Sequence, residues 1–229
     1  MASTSLLPVS NSITHTPSSE NKKSLNITIK PTMLTIVTFV SLLFLACYAN
    51  IFGVFLLGPR APTIRLQSLF LSNLNVSTTK LAANWKAKFT ISNPNLASKI
   101  RIDNMESMIY YKAQNAISIA SSHGFNLGLL QDKHVSMEFA TTGYEGDQPV
   151  LEYPVLMEIK KDEGRGVMPF SISMNAWGTY KTNLFGWSKN FIVNSYCFDL
   201  NVMVVAGSGK GRLIGDEPRN CVVHMLFNQ

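Results

Sequence analysis

The chain has 229 residues, of which 46% are hydrophobic and only 15% charged, with a formal net charge of +6. That length accommodates one domain together with a membrane segment, and a mean hydropathy of +0.11 implies that part of the chain lies outside water. The basic residues are scattered rather than gathered into blocks, which speaks against a nucleic-acid partner.

Residues 1–31, beginning MASTSLLPVSNSITHTPSSENKK, are rich in Ser, Thr, Asn and Pro and show no sustained apolar period. They are expected to be a disordered tail. Residues 32–57 then run for 26 positions without a charge. About twenty apolar residues cross a bilayer core, so a transmembrane helix is expected there. A signal peptide has a shorter apolar run closer to the start of the chain and ends in small residues. Lys22, Lys23 and Lys30 precede the segment, and Arg60 and Arg65 follow it. This balance leans toward a cytosolic N-terminus.

Residues 58–229 carry a net charge of about +4, too weak a field to direct the domain to an acidic partner. Strand patterns dominate: 66–77, 85–92, 99–113 with a break near Asn104, 117–120, 133–141, 169–177, 196–205 and 221–227. In 196–205, alternation places Phe198, Leu200, Val202 and Val204 on one face. The stretch 126–137 reads as a loop or strand edge, and 143–166 as a long polar loop. Short strands with period-two alternation predict an all-β fold, a single antiparallel β-sandwich, because one-sided burial produces that alternation.

The segment WKAKFTISNPN, residues 85–95, alternates Trp85, Ala87, Phe89 and Ile91 against Lys86, Lys88 and Thr90, then stops at Asn93-Pro94-Asn95. Proline has no N–H for a ladder, and asparagine bonds to local backbone in turns. The physics therefore predicts a strand-to-turn corner at these three residues.

The same residues carry a resemblance. An anchor near the N-terminus, Pro59-Arg60-Ala61-Pro62, and an alternating strand ending in Asn93-Pro94-Asn95 resemble the plant NDR1/HIN1-like family. Its members share the late-embryogenesis-abundant group 2 (LEA-2) domain. Tyr110 and Tyr111 in the next strand, and Cys197 and Cys221 in the late strands, also resemble that family. The resemblance covers about residues 31–227, and in it Asn93, Pro94 and Asn95 form a structural motif. It implies a fibronectin III-like sandwich at the plasma membrane, outside the cytosol, with roles in plant defence and stress response. The expected partners are the lipid bilayer and a protein or cell-wall component.

An enzyme is not expected, nor a cofactor or metal. Gly207-Ser208-Gly209-Lys210-Gly211 lacks the spacing and the following helix of a phosphate loop and reads as a hairpin turn. His15, His123, His134 and His224 have no metal-ligand spacing. Cys197 or Cys221 could pair with His224 as nucleophile and base, but no third group orients them. Those two cysteines suit either one disulfide in an oxidising compartment or two buried thiols. Cys47 fills the apolar segment. Sequons occur at Asn26 and Asn75, and the cytosolic-N topology favours Asn75 as the glycosylated one. Three function classes follow: a membrane-tethered interaction protein, a lipid-binding or lipid-transfer module with an apolar groove, and an enzyme. The first is preferred.

Overall fold

The computed structural model describes residues 31–142, 149–182, 186–205, 207–215 and 218–227. The tail up to residue 30, the Asn26 sequon and His15 lie outside them. The chain divides into two compact units, Met1–Tyr48 and Ala49–Gln229.

The first helix, α1, runs Pro31–Leu57. Proline suits a helix start because its missing N–H would have no partner there anyway. The hydroxyls of Thr35 and Thr38 donate to the carbonyls of Thr32 and Thr35, at 2.8 and 2.9 Å. The apolar segment thus carries its hydroxyls without needing water. Residues Pro31–Ala49 have a mean hydropathy of 2.1 and are unburied. This helix is long and apolar enough to cross a membrane.

The second unit is mainly β. Its strands are β1 (Thr63–Val76), β2 (Leu81–Ser92), β3 (Ser98–Tyr111), β4 (Asn115–Leu127) and β5 (Asp132–Ala140). A helix, α2 (Tyr153–Arg165), is followed by β6 (Val167–Thr182), β7 (Ser188–Val205), β8 (Lys210–Leu213), β9 (Arg219–Asn220) and β10 (Val222–Phe227). All pairings are antiparallel, in the order β4-β3-β6-β7-β8-β1-β2-β5, with β10 on β7 and β9 on β1. The end strands β4 and β5 are consecutive in the chain. Ser118 Oγ of β4 donates to the Ala140 carbonyl of β5 at 2.9 Å, so the single sheet curls almost into a barrel.

Alternation supplies the interior. In β2, Trp85, Ala87, Phe89 and Ile91 are buried, while Lys86 and Lys88 face out. Trp85 meets Phe170 of β6 edge-on, at 5.8 Å between ring centroids and 75° between planes. Offset and edge-on pairs add to what aromatic burial contributes. Phe139 and Phe191 join them in the core.

Three expectations change. Residues 153–165 are helical rather than loop: Pro154 sits in the first turn, Gly166 closes the helix at φ 78°, and Leu156 and Ile159 are buried. The break near Asn104 is a bulge within one continuous strand, where Asp103 is an extra residue against β6. Phe198 does not share the face of Leu200. Phe170 pairs with Leu200, but Ile172 pairs with Cys197, so β7 carries an extra residue beside Ser171. Asp199, at φ 55°, absorbs that residue. Cys197 and Leu200 both turn inward, and Phe198 stays half exposed.

Candidate functional site

The Asn-Pro-Asn corner ties together the link after α1, the start of β3 and the β4–β5 turn. Asn93 and Asn95 are 1% and 3% exposed, so every amide atom needs a protein partner. Asn93 Nδ2 donates to the Ser98 carbonyl at 2.9 Å and to the Gly128 carbonyl at 2.6 Å. Its Oδ1 accepts from Asn95 N at 3.0 Å and from Asn95 Nδ2 at 2.7 Å. Asn95 Nδ2 also donates to the Arg60 carbonyl at 2.9 Å, and Arg60 N donates to Asn95 Oδ1 at 2.6 Å. Tyr180 Oη adds a third bond to the Arg60 backbone, donating to its carbonyl at 2.7 Å. Burial pushes the Tyr180 hydroxyl well up from its usual range, against a smaller opposing effect of Asn95. Pro94 only breaks the ladder between the two asparagines. The three residues form a structural clamp with its polar groups engaged inside the fold.

Cys197 and Cys221 are bonded to each other across β7 and the start of β10, with Cα atoms 4.4 Å apart. A thiol nucleophile activated by His224 is therefore not available at either cysteine. Cys47 is free and exposed on α1.

Beside the disulfide, the outer face of β3, β6, β7 and β10 holds an open groove of about 420 Å³. Tyr110, Ser171, Tyr196, Phe198, Val222 and His224 line it. Tyr196 and Phe198 lie parallel, 5.8 Å between centroids and 8° between planes. Residues two apart in a strand share a face, so this exposed aromatic pair follows directly from the bulge at Asp199. Alternation through 196–205 misses it, because that pattern sends Phe198 inward.

A polar cluster joins α2 to the β3–β4 turn. Tyr111 Oη donates to Asp162 Oδ2 at 2.6 Å, and Arg165 reaches Oδ1 at 3.2 Å. Lys112 Nζ lies 3.1 Å from Glu158 and 3.5 Å from Asp162. Burial pushes the Tyr111 hydroxyl up to about 12, with its bond to Asp162 adding to the rise. Burial also pushes the Asp162 carboxyl up, but the bond from Tyr111 and the cations Lys112 and Arg165 outweigh it, and the net direction is down. The bond to Glu158 raises Lys112. These opposed shifts describe groups locked in their ordinary charge states. The cluster fastens α2 to the sheet.

The other candidate residues are dispersed. Asn75 is exposed near the end of β1. His123 and His134 are exposed on β4 and β5, and Thr90 Oγ1 lies 3.0 Å from His134 Nδ1. Gly207–Gly211 belongs to the β7–β8 hairpin, where Ser208 N donates to the Val205 carbonyl at 3.1 Å and Leu74 N donates to the Gly209 carbonyl at 3.0 Å. Among the described residues, no three His, Cys, Asp or Glu side chains gather as metal ligands.

No family model and no curated protein matches this chain. A solved structure described as a protein from Archaeoglobus fulgidus is similar at 7% identity and a TM-score of 0.27, over 62% of this chain and 97% of that one. A likeness that slight carries no argument about fold or function.

Proposed function

We propose that the chain is a membrane-anchored, non-enzymatic interaction protein of the NDR1/HIN1-like kind. In this reading it presents an LEA-2-type β-sandwich beside the plasma membrane in plant defence or stress response. The clamp on Arg60 is the observation that carries the reading. Arg60 follows the end of α1 at Leu57 by three positions, and three hydrogen bonds fix its backbone to the sheet. The chain that leaves the anchor therefore joins the sheet within a few residues, which suits a domain carried next to a bilayer.

The Trp85–Phe170 contact, across the interior between β2 and β6, supports the two-layer sandwich reading of the curled sheet. The Cys197–Cys221 bond and the exposed Asn75 suit an oxidising, glycosylating compartment. The cytosol would then hold the N-terminus. The groove around Tyr196 and Phe198 is the favoured docking face for a protein or wall partner, since exposed aromatic anchors dominate such contacts. The lipid-carrying alternative needs apolar space for an acyl chain. Trp85, Phe89, Phe139, Phe170 and Phe191 occupy the interior instead, which favours recognition at the surface.

A photocrosslinking residue at position 198 of the full-length protein, in intact plant cells, tests the reading. Discrete adducts from position 198 but not from the exposed Lys88 of β2 would support it. Equal yields at both positions, or none at 198, would contradict it.

A further inference from the structure

One end of the sheet is cationic, and it is the end where the chain leaves α1. The start of β1, the end of β2 and the start of β5 meet there: Thr63 pairs with Ser92, and Ser92 with Asp132. The start of β3, the end of β6 and the start of β7 meet there too: Ser98 pairs with Thr182, and Lys181 with Ser188. The clamp joins the two groups, because Asn95 holds Arg60 and Asn93 holds the Ser98 carbonyl. Arg60, Lys99, Lys133, Lys181 and Lys189 are all exposed at this end. Among the described residues, Asp132 is the carboxylate that stands with them at these strand ends.

Two of the lysines are set directly against each other. Lys99 and Lys181 are cross-strand partners on β3 and β6, and like charges directly opposite are destabilising. Neither has an ion-pair partner among the described residues, whereas neighbouring Arg101 is held by Asp103 at 2.6 Å. Lys99, Arg101 and Lys181 border an open cleft of about 550 Å³, with Asn126 on its far side. An anion seated there would relieve the repulsion that the fold leaves in place.

Covalent reach says where that anion comes from. Arg60 stands three residues beyond Leu57, so the backbone cannot separate them by more than about 10 Å. If α1 spans the bilayer, the Arg60 end of the sheet lies at the headgroup layer. Half-buried Trp187 is at this end as well, its carbonyl accepting from Thr182 N at 3.2 Å, and tryptophan and lysine both favour that layer.

We infer that the Lys99–Lys181 cleft binds the phosphate of anionic lipid headgroups in the leaflet at the Leu57 end of α1. The inference rests on the anchored reading above and adds a second, electrostatic contact that fixes how the sheet stands on the membrane.

The test places the full-length protein in nanodiscs of phosphatidylcholine, alone or with phosphatidic acid, and follows hydrogen exchange. Anionic discs should slow exchange at the first residues of β3 and the end of β6 relative to neutral discs, and high salt should abolish the difference. Lys99→Glu with Lys181→Glu should remove it. Lys160→Glu with Lys161→Glu, the same charge change on exposed residues of α2, should leave it. Equal exchange in both discs for the wild type would overturn the inference. So would full protection in the Lys99/Lys181 variant, or the same protection from inorganic phosphate added to neutral discs. Failure of the protein to enter even neutral discs would instead bring down the anchored reading, and this inference with it.

Discussion

Asn95 grips the backbone of Arg60 from both sides, accepting from its N–H at 2.6 Å and donating to its carbonyl at 2.9 Å. The pair is distant in sequence, and Asn93 Oδ1 accepts one further bond from the Asn95 side-chain amide and one from the Asn95 backbone N–H. Stranding a buried polar group costs about 1–3 kcal/mol. Asn95→Ala takes the side-chain acceptor from the Arg60 N–H and one of two donors from both the Arg60 carbonyl and Asn93 Oδ1, and should lower stability by roughly 3 kcal/mol, within the range of broken buried networks. Asn95→Asp should not rescue it, because a carboxylate cannot donate to the Arg60 carbonyl. Urea unfolding of the full-length protein in detergent, read by fluorescence, checks both. A loss below about 0.5 kcal/mol, the size of an ordinary surface substitution, would mean that the clamp is not structural.

The Cys197–Cys221 bond joins residues 24 apart in sequence. Closing a loop of that size stabilises by roughly 3 kcal/mol in the chain-entropy account. The double variant Cys197→Ala, Cys221→Ala should therefore unfold at clearly lower urea. Dithiothreitol should bring the wild type down to a similar midpoint and leave the variant unmoved. A variant that remained sensitive to dithiothreitol would show that the effect lies elsewhere.

The α2 cluster contributes to the pH dependence, joined on the alkaline side by buried Tyr180. Tyr111 is raised in the fold to about 12, so its contribution is complete below the unfolded value of about 10 and is lost as pH climbs from there toward 12. Asp162 is depressed, so its contribution is present above about 4 and is lost as pH falls through the lowered folded value. Stability should be level across neutral pH and fall at both extremes. Tyr111→Phe should flatten part of the alkaline fall and Asp162→Asn part of the acid one. An unchanged alkaline slope in Tyr111→Phe would contradict the assignment.

Two glycines should respond in opposite directions. A Cβ at Gly178 would run into the Arg101 carbonyl and the Phe191 ring beside the Asp103 bulge. Gly178→Ala should destabilise by about 1–3 kcal/mol. Gly164 lies within α2 with nothing near its would-be Cβ, so Gly164→Ala should stabilise by about 0.5–1 kcal/mol. Thermal unfolding of both variants decides the point, and a shift of the same sign in each would refute this account of the two sites.

Much of the all-β character is legible in the alternation of residues, because one-sided burial writes a period of two into β2 and β6. The apolar helix is legible from 26 uncharged positions. Helix α2 hides because only one narrow face is apolar, with Leu156 and Ile159 buried and the polar run KKDEGR following them. Its real signals were Pro154 at the start and Gly166 at the end. The bulge at Asp199 defeats alternation outright, since one extra residue reverses every later side chain. That reversal exposes Phe198, and with it the groove. The corner at Asn93-Pro94-Asn95 is visible as a stop, but its partners Arg60 and Gly128 come from segments that no local pattern connects. The cationic end is equally invisible in sequence, where Arg60, Lys99, Lys133, Lys181 and Lys189 stand far apart.

Glycosylation at Asn75 reports whether the sheet stands on the side of the membrane away from the cytosol. Full-length wild type and Asn75→Gln would be expressed in plant cells and treated with a glycosidase, alongside protease protection of a C-terminal tag. The wild type should show a mobility shift that is absent in Asn75→Gln, and its tag should be shielded in sealed microsomes. No shift, together with a tag digested from the cytosolic side, would contradict it.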